Sequence, residues 1–126
     1  MNKNIFLLLI IILPTYADNW VKHNTSEKAT FYIETETIRK DGGYVYFWNM
    51  ADLLNPMEPA GYLSVKSYEK VDCNSLKYQR LAYVFYTDNM GTGDSDYEES
   101  NDTGWKYVVP STINASAIDF ACSFYE

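Results

Sequence analysis

The sequence predicts a mainly β fold of the α+β class: an antiparallel sheet of about six strands with one C-terminal helix tied back by a single disulfide. Three observations lead there. Segments rich in Tyr, Phe, Val, Ile and Thr recur between turn residues. The chain has only two cysteines, Cys73 and Cys122. A stretch with capping residues and several alanines closes it.

Residues 1–17 read as a secretory leader. Lys3 supplies the positive start, Ile5 to Leu13 are uninterrupted apolar residues, Pro14 ends the run, and Thr15 and Ala17 form a small-residue cleavage site. Nine residues at about 1.5 Å each cover less than half of a roughly 30 Å hydrocarbon core, so no membrane span is expected. No cysteine follows the apolar run, which argues against a lipid anchor. Residues 18–126 then form a single domain, without repeats or linkers, that resides in the periplasm, on the outer surface or outside the cell.

The leader carries one of the ten basic residues and none of the 17 acidic ones, which leaves a net charge of −8. Such a surface repels nucleic acid and anionic membrane, and it keeps a small domain soluble. Two cysteines in an oxidising compartment read as one disulfide with one possible pairing, Cys73 to Cys122. Closing a loop of about fifty residues stabilises the fold by roughly 4 kcal/mol in the chain-entropy model.

The elements follow in order. Trp20 and Val21 open the first strand, and His23 to Lys28 form a polar turn. Thr30 to Ile38 alternates, with Phe31 and Ile33 on one side. Asp41-Gly42-Gly43 is a hairpin turn, because glycine supplies the positive φ that tight turns demand. Tyr44 to Met50 places Tyr44, Tyr46, Trp48 and Met50 on one face and Val45 and Phe47 on the other, so this strand is central. Asn55 to Pro59 reads as a loop because of its two prolines. Tyr62 to Val71 and Leu76 to Thr87 are strands, Asp88 to Gly104 a solvated excursion, and Trp105 to Val109 a last short strand. The segment from Ser111 admits two readings. Period two aligns Ile118, Phe120, Cys122 and Phe124 as a strand, whereas Ile113, Ala117, Phe120 and Ala121 share a helix face. The alanines favour a helix from about Thr112 to Ala121.

Catalytic chemistry finds little support, and the chain is not expected to be an enzyme. His23 is the lone histidine, with no nucleophile near it in sequence, and reads as a surface side chain. No cofactor or metal is expected. Asp88, Asp94, Asp96, Glu98 and Glu99 supply hard oxygen ligands, but Met90 and Thr92 break the calcium-loop pattern. The aromatic residues, 17% of the chain, are the better candidates. Tyr44, Tyr46 and Trp48, with Tyr83 and Phe85 from another strand, are candidates for a recognition surface for protein or glycan, or for a homodimer contact. Core filling is the competing fate, above all for Trp48 and Phe85.

The order of residues along the chain adds a resemblance. Trp20, Tyr32, Thr37-Ile38-Arg39, Gly43, Val45, Trp48 and Asp52 are followed by Asp72-Cys73, Arg80, Tyr86, Gly91, Gly93, Trp105, Val109-Pro110-Ser111 and Cys122. This pattern resembles the surface-adhesin protein E family of small exported bacterial proteins. The resemblance implies an antiparallel sheet with a disulfide-tethered C-terminal helix. It also implies a place at the bacterial surface and adhesion to host extracellular proteins, matrix proteins among them. A periplasmic inhibitor or accessory subunit is the rival expectation, prompted by small size, acidity and the missing anchor cysteine.

Overall fold

The computed structural model describes residues 20–102 and 104–125, so the expected leader, residues 1–17, lies outside the described residues. Eight strands and one helix follow in order: β1 (Trp20–Thr25), β2 (Ala29–Glu34), β3 (Arg39–Asp41), β4 (Tyr44–Met57), β5 (Tyr62–Asp72), β6 (Lys77–Tyr86), β7 (Ser95–Glu99), β8 (Lys106–Tyr107) and α1 (Ile113–Ser123). All belong to one antiparallel sheet of order β1-β2-β4-β5-β6-β7, with β3 on β4 and β8 on β6. The two strands beyond the expected six are β3, three residues long and too short to leave a periodic signal, and β7, five exposed residues inside the expected excursion; the expected last strand is β8, shortened to Lys106–Tyr107.

Alternation decides what faces the helix. Val45 and Phe47 of β4, Val71 of β5 and Ile33 of β2 point to one side and pack with Ile38, Ala117, Ile118 and Ala121 into a closed core. Phe47, Ile33 and Ile118 are completely inaccessible, and each contributes about 1.5–3 kcal/mol of apolar burial. The helix forms as the capping residues suggest: the Thr112 hydroxyl accepts from the Ala115 amide at 3.1 Å. Its buried face, Ala115, Ala117, Ile118 and Ala121, is rotated from the expected one towards Ile118. The three alanines let α1 approach the strands closely. The disulfide then pins it, joining Cys122 in its last turn to Cys73, just beyond β5, with a Cα separation of 5.8 Å. Tyr125 adds a tether by donating its hydroxyl proton to the Ile38 carbonyl at 2.8 Å.

Three expectations are corrected. β2 ends at Glu34 rather than reaching Ile38, because the Thr37 hydroxyl donates to the Glu34 carbonyl at 2.8 Å and accepts the Trp48 amide, closing a short turn. β4 runs through Pro56 to Met57, where a loop was expected; its pairing with β5 shifts between Asp52 and Met57, so the proline breaks no ladder bond. Asp88 to Gly104 is not a plain solvated excursion. It begins with a tight turn at Asn89–Gly91 held by Asp52 and Ser64, where the Met90 amide donates to Asp52 Oδ1 at 2.8 Å and the Gly91 amide to Ser64 Oγ at 2.9 Å. Gly91 has φ of +66°, and a Cβ there would lie 2.8 Å from Lys66 Cε. The acidic run then forms β7, a fully exposed edge strand whose charges discourage further strand pairing.

Candidate recognition face

The second set of β4 side chains points away from the helix. Tyr44, Tyr46 and Trp48 stand on this open side with Tyr68 of β5, directly opposite Trp48 across the ladder. Ring centroids are 6.0 Å apart for Tyr46 and Tyr68 and 4.8 Å for Trp48 and Tyr68. At the lower end the Trp105 ring lies tilted against Tyr44, with centroids 5.3 Å apart. The Asn89–Gly91 turn closes the upper end over Ser64 and Met50. The start of the segment expected to float in solvent and Trp105, the residue that follows its end, therefore frame the aromatic strip.

Cations are threaded among the rings. The Arg39 guanidinium lies 4.4 Å from the Tyr46 centroid and donates to the Tyr68 hydroxyl at 3.0 and 3.2 Å. The Lys70 ammonium lies 4.4 Å from the Tyr44 centroid and 5.4 Å from that of Trp105. Lys66 is shared between Trp20 and Tyr86 at 4.9 and 5.3 Å. The Tyr68 hydroxyl and the neighbouring Asp41 raise the Arg39 pKa further, so the charge is permanent. The cations lie over π-faces, and Tyr44, Tyr46, Trp48 and Tyr68 are half-buried. The net-acidic chain thus concentrates aromatic and cationic groups on one face, while β7 carries carboxylates along an edge.

Of the residues singled out from sequence, the structure brings Tyr44, Tyr46 and Trp48 together and separates Tyr83 from them. Tyr83 pairs with Ser67 and stands on the helix side, 6.2 Å from Phe85. The cause is a bulge: Tyr68 pairs with Ala82 and Glu69 with Arg80, so Leu81 is the extra residue and shifts the following side chains by one. Tyr68, Arg39, Lys70 and Lys66 were not singled out from sequence as a surface. The alternation Lys66-x-Tyr68-x-Lys70 along β5 is the signal that marks them.

His23, expected in a surface turn, lies within β1 at another bulge and is half-buried. Its Nδ1 is 2.9 Å from Ser116 Oγ, and that hydroxyl donates to the His23 carbonyl at 3.2 Å. Burial lowers the imidazole pKa and keeps the ring neutral. The hydroxyl proton is committed to the carbonyl, so the pair latches helix to strand. Among the described residues, no three of His, Cys, Asp and Glu converge as metal ligands would. No described helix is long and apolar enough to cross a membrane.

A model of the family described as surface-adhesin protein E matches residues 20–123. The chain belongs to the surface-adhesin protein E family. Among solved structures, Haemophilus influenzae protein E in its crystal form II has a TM-score of 0.64 and 19% sequence identity, over 83% of this chain and 98% of that one. Another structure of the same protein gives 0.62 and 20%, over 85% and 96%. Protein E from non-typeable Haemophilus influenzae gives 0.60 and 19%, over 83% and 84%. At these identities the likeness establishes the fold. Comparison with curated proteins finds no match. Membership in an adhesin family does not favour the periplasmic inhibitor or accessory-subunit reading.

Proposed function

We propose that this chain is an exported, non-enzymatic adhesin whose open aromatic face receives a protein ligand. The observation that carries the reading is a strip of four rings, Tyr44, Tyr46, Trp48 and Tyr68, interleaved with Arg39 and Lys70 on the sheet face opposite α1. Tyr, Trp and Arg are the residue types that dominate protein-binding hot spots: Tyr and Trp bury much area for little lost rotamer freedom, and Arg adds a planar fork of donors. Their mutual packing orders them before the partner arrives and so lowers the entropic cost of binding. Family membership supplies the class of function, and the acidic net charge turns the reading away from nucleic acid. Tyr83, on the other side of the sheet, is not part of this face.

Immobilised host extracellular-matrix proteins provide the assay. Saturable binding by the wild-type chain is expected, with Tyr46→Ala and Trp48→Ala each weakening it about tenfold or more while remaining folded. Binding that is unchanged in both variants removes this face from the function. A second copy of the chain is the competing occupant, and sedimentation at the binding concentrations separates homodimer from complex.

A further inference from the structure

On the helix side, away from the recognition face, a cavity of about 280 Å³ lies between the first turns of α1 and strands β2, β4, β5 and β6. At about 30 Å³ per water this is room for roughly nine water-sized units, the scale of a ligand with about ten heavy atoms. Most of its wall is apolar, from Phe31, Val65 and Ile113 together with Met50, Ala51 and Ala117. The polar groups are Arg80, Ser67, Asn49, Tyr83, Asn114 and the half-buried His23. The bulge at Leu81 is what turns Arg80 and Tyr83 to the same side.

The polar part is built, not incidental. Glu69, wholly inaccessible, accepts from Arg80 Nε at 3.3 Å and from the Asn49 amide, and Asn49 accepts from Ser67. Arg80 spends Nε on Glu69, and among the described residues its two terminal nitrogens have no hydrogen-bond partner. The buried Asn114 side-chain oxygen likewise finds no donor among the described residues. An unsatisfied buried acceptor is costly, and a donor on a bound molecule would offset that cost. A pocket with apolar walls and a few convergent polar groups is the usual form of a small-molecule site.

We infer that this cavity binds a small amphiphilic carboxylate: its anionic group pairs with the terminal nitrogens of Arg80, its hydrocarbon body lies against Phe31, Val65 and Ile113, and a hydroxyl or amino donor satisfies Asn114. Planar guanidinium and carboxylate match in a two-pronged arrangement. Where Glu69 is ionised, above about pH 7, it competes with the ligand for Arg80 and limits affinity.

The test is titration of the purified protein with 4-hydroxybenzoate, followed by backbone amide NMR shifts, with 4-hydroxybenzamide as the uncharged control. Saturable shifts are expected at Ala51, Ser67, Tyr83 and Asn114 and not on Tyr46 or Tyr68, with the amide binding about tenfold more weakly. Arg80→Gln should abolish the preference for the carboxylate. Glu69→Gln keeps the hydrogen bond with Asn49 and removes the competing charge, so in a titration at pH 8, where Glu69 is ionised, it should tighten 4-hydroxybenzoate several-fold; this variant holds the test open if Arg80→Gln fails to fold. Absence of saturable shifts at millimolar probe, equal affinity for acid and amide, or weaker binding by Glu69→Gln overturns the inference. Because the readout is confined to the helix side, none of these results depends on matrix binding at the open face.

Discussion

On the helix-covered face of the sheet, Val45, Phe47 and Val71 are closed against Ala117, Ile118 and Ala121, yet the same face also buries the Glu69 carboxylate beside a half-exposed Arg80. On the open face, Tyr44, Tyr46, Trp48 and Tyr68 remain half-exposed although they are the larger residues. The chain thus hides a carboxylate on one face and leaves its large aromatic rings partly open on the other, the reverse of what burying apolar surface alone would produce. The difference separates two kinds of work. Residues 45, 47 and 71 hold the fold, whereas residues 44, 46, 48 and 68 are ordered mainly by one another and by the cations between them, which keeps them available to a partner.

Neighbouring residues on β4 give the sharpest test. Phe47→Ala opens a cavity in a fully closed core and should cost about 3–5 kcal/mol, measured by denaturant unfolding. Trp48→Ala, one residue on and on the other face, should cost about 1–2 kcal/mol and act mainly on matrix binding. Equal losses of stability would erase the distinction between the faces. Replacing both cysteines by alanine should remove about 4 kcal/mol, since the bridge spans 49 residues and pins α1 over the covered face only. Intact matrix binding by whatever fraction of that variant remains folded is the expected companion result.

The buried carboxylate makes the covered face sensitive to pH. Burial pushes the Glu69 pKa from 4.5 up to about 7, with the Arg80 charge opposing the shift. The unfolded chain releases this proton near its ordinary pKa, whereas the folded chain keeps it until about pH 7. Across that window the folded state holds more protons, so this group's contribution to stability is full below about 4.5 and is lost as pH rises to about 7. His23 works the other way: its lowered pKa gives a contribution that is full above about 6.5 and is lost as pH falls. Comparing wild type with Glu69→Gln isolates the first effect. The variant should gain up to about 3 kcal/mol relative to wild type between pH 4.5 and 7.5, read from chemical unfolding at each pH. A flat difference would mean that Arg80 holds Glu69 ionised throughout.

How much of this was legible in the sequence depends on where local pattern sufficed. The alternation of Tyr44, Val45, Tyr46, Phe47 and Trp48 places the strand and its two faces, and Thr112 with the following alanines places the helix. With apolar residues on both sides of β4, however, pattern alone does not say which face α1 covers. That follows from tertiary contacts of Ile118 and from the bridge at Cys122. Tyr83 was grouped with the wrong face because the bulge at Leu81 has no glycine or proline to announce it, and a slip of one residue reverses every side chain after it. Glu69 was equally silent, since a glutamate between Tyr68 and Lys70 reads as a solvated position and its burial is set by Arg80 on the next strand. The Asp88 to Gly104 segment has the composition of a solvated loop because β7 is an exposed edge. Its order comes from the Asp52 and Ser64 contacts made across the sheet.

The smallest effect on the fold should come from the open face, at Arg39. Its side chain is half-exposed and its ion pair with Asp41, at 3.3 Å, is open to solvent, so neither adds much to stability. What Arg39 does is fix Tyr68 through two hydrogen bonds and cover the ring of Tyr46. Arg39→Gln should therefore leave the melting temperature essentially unchanged while weakening matrix binding several-fold, and Arg39→Lys should restore only part of it, because an ammonium cannot hold the two-pronged contact with the Tyr68 hydroxyl while lying flat over Tyr46. If Arg39→Gln melts early instead, the cations on this face are structural supports, and ordering the rings for a partner ceases to be their distinguishing role.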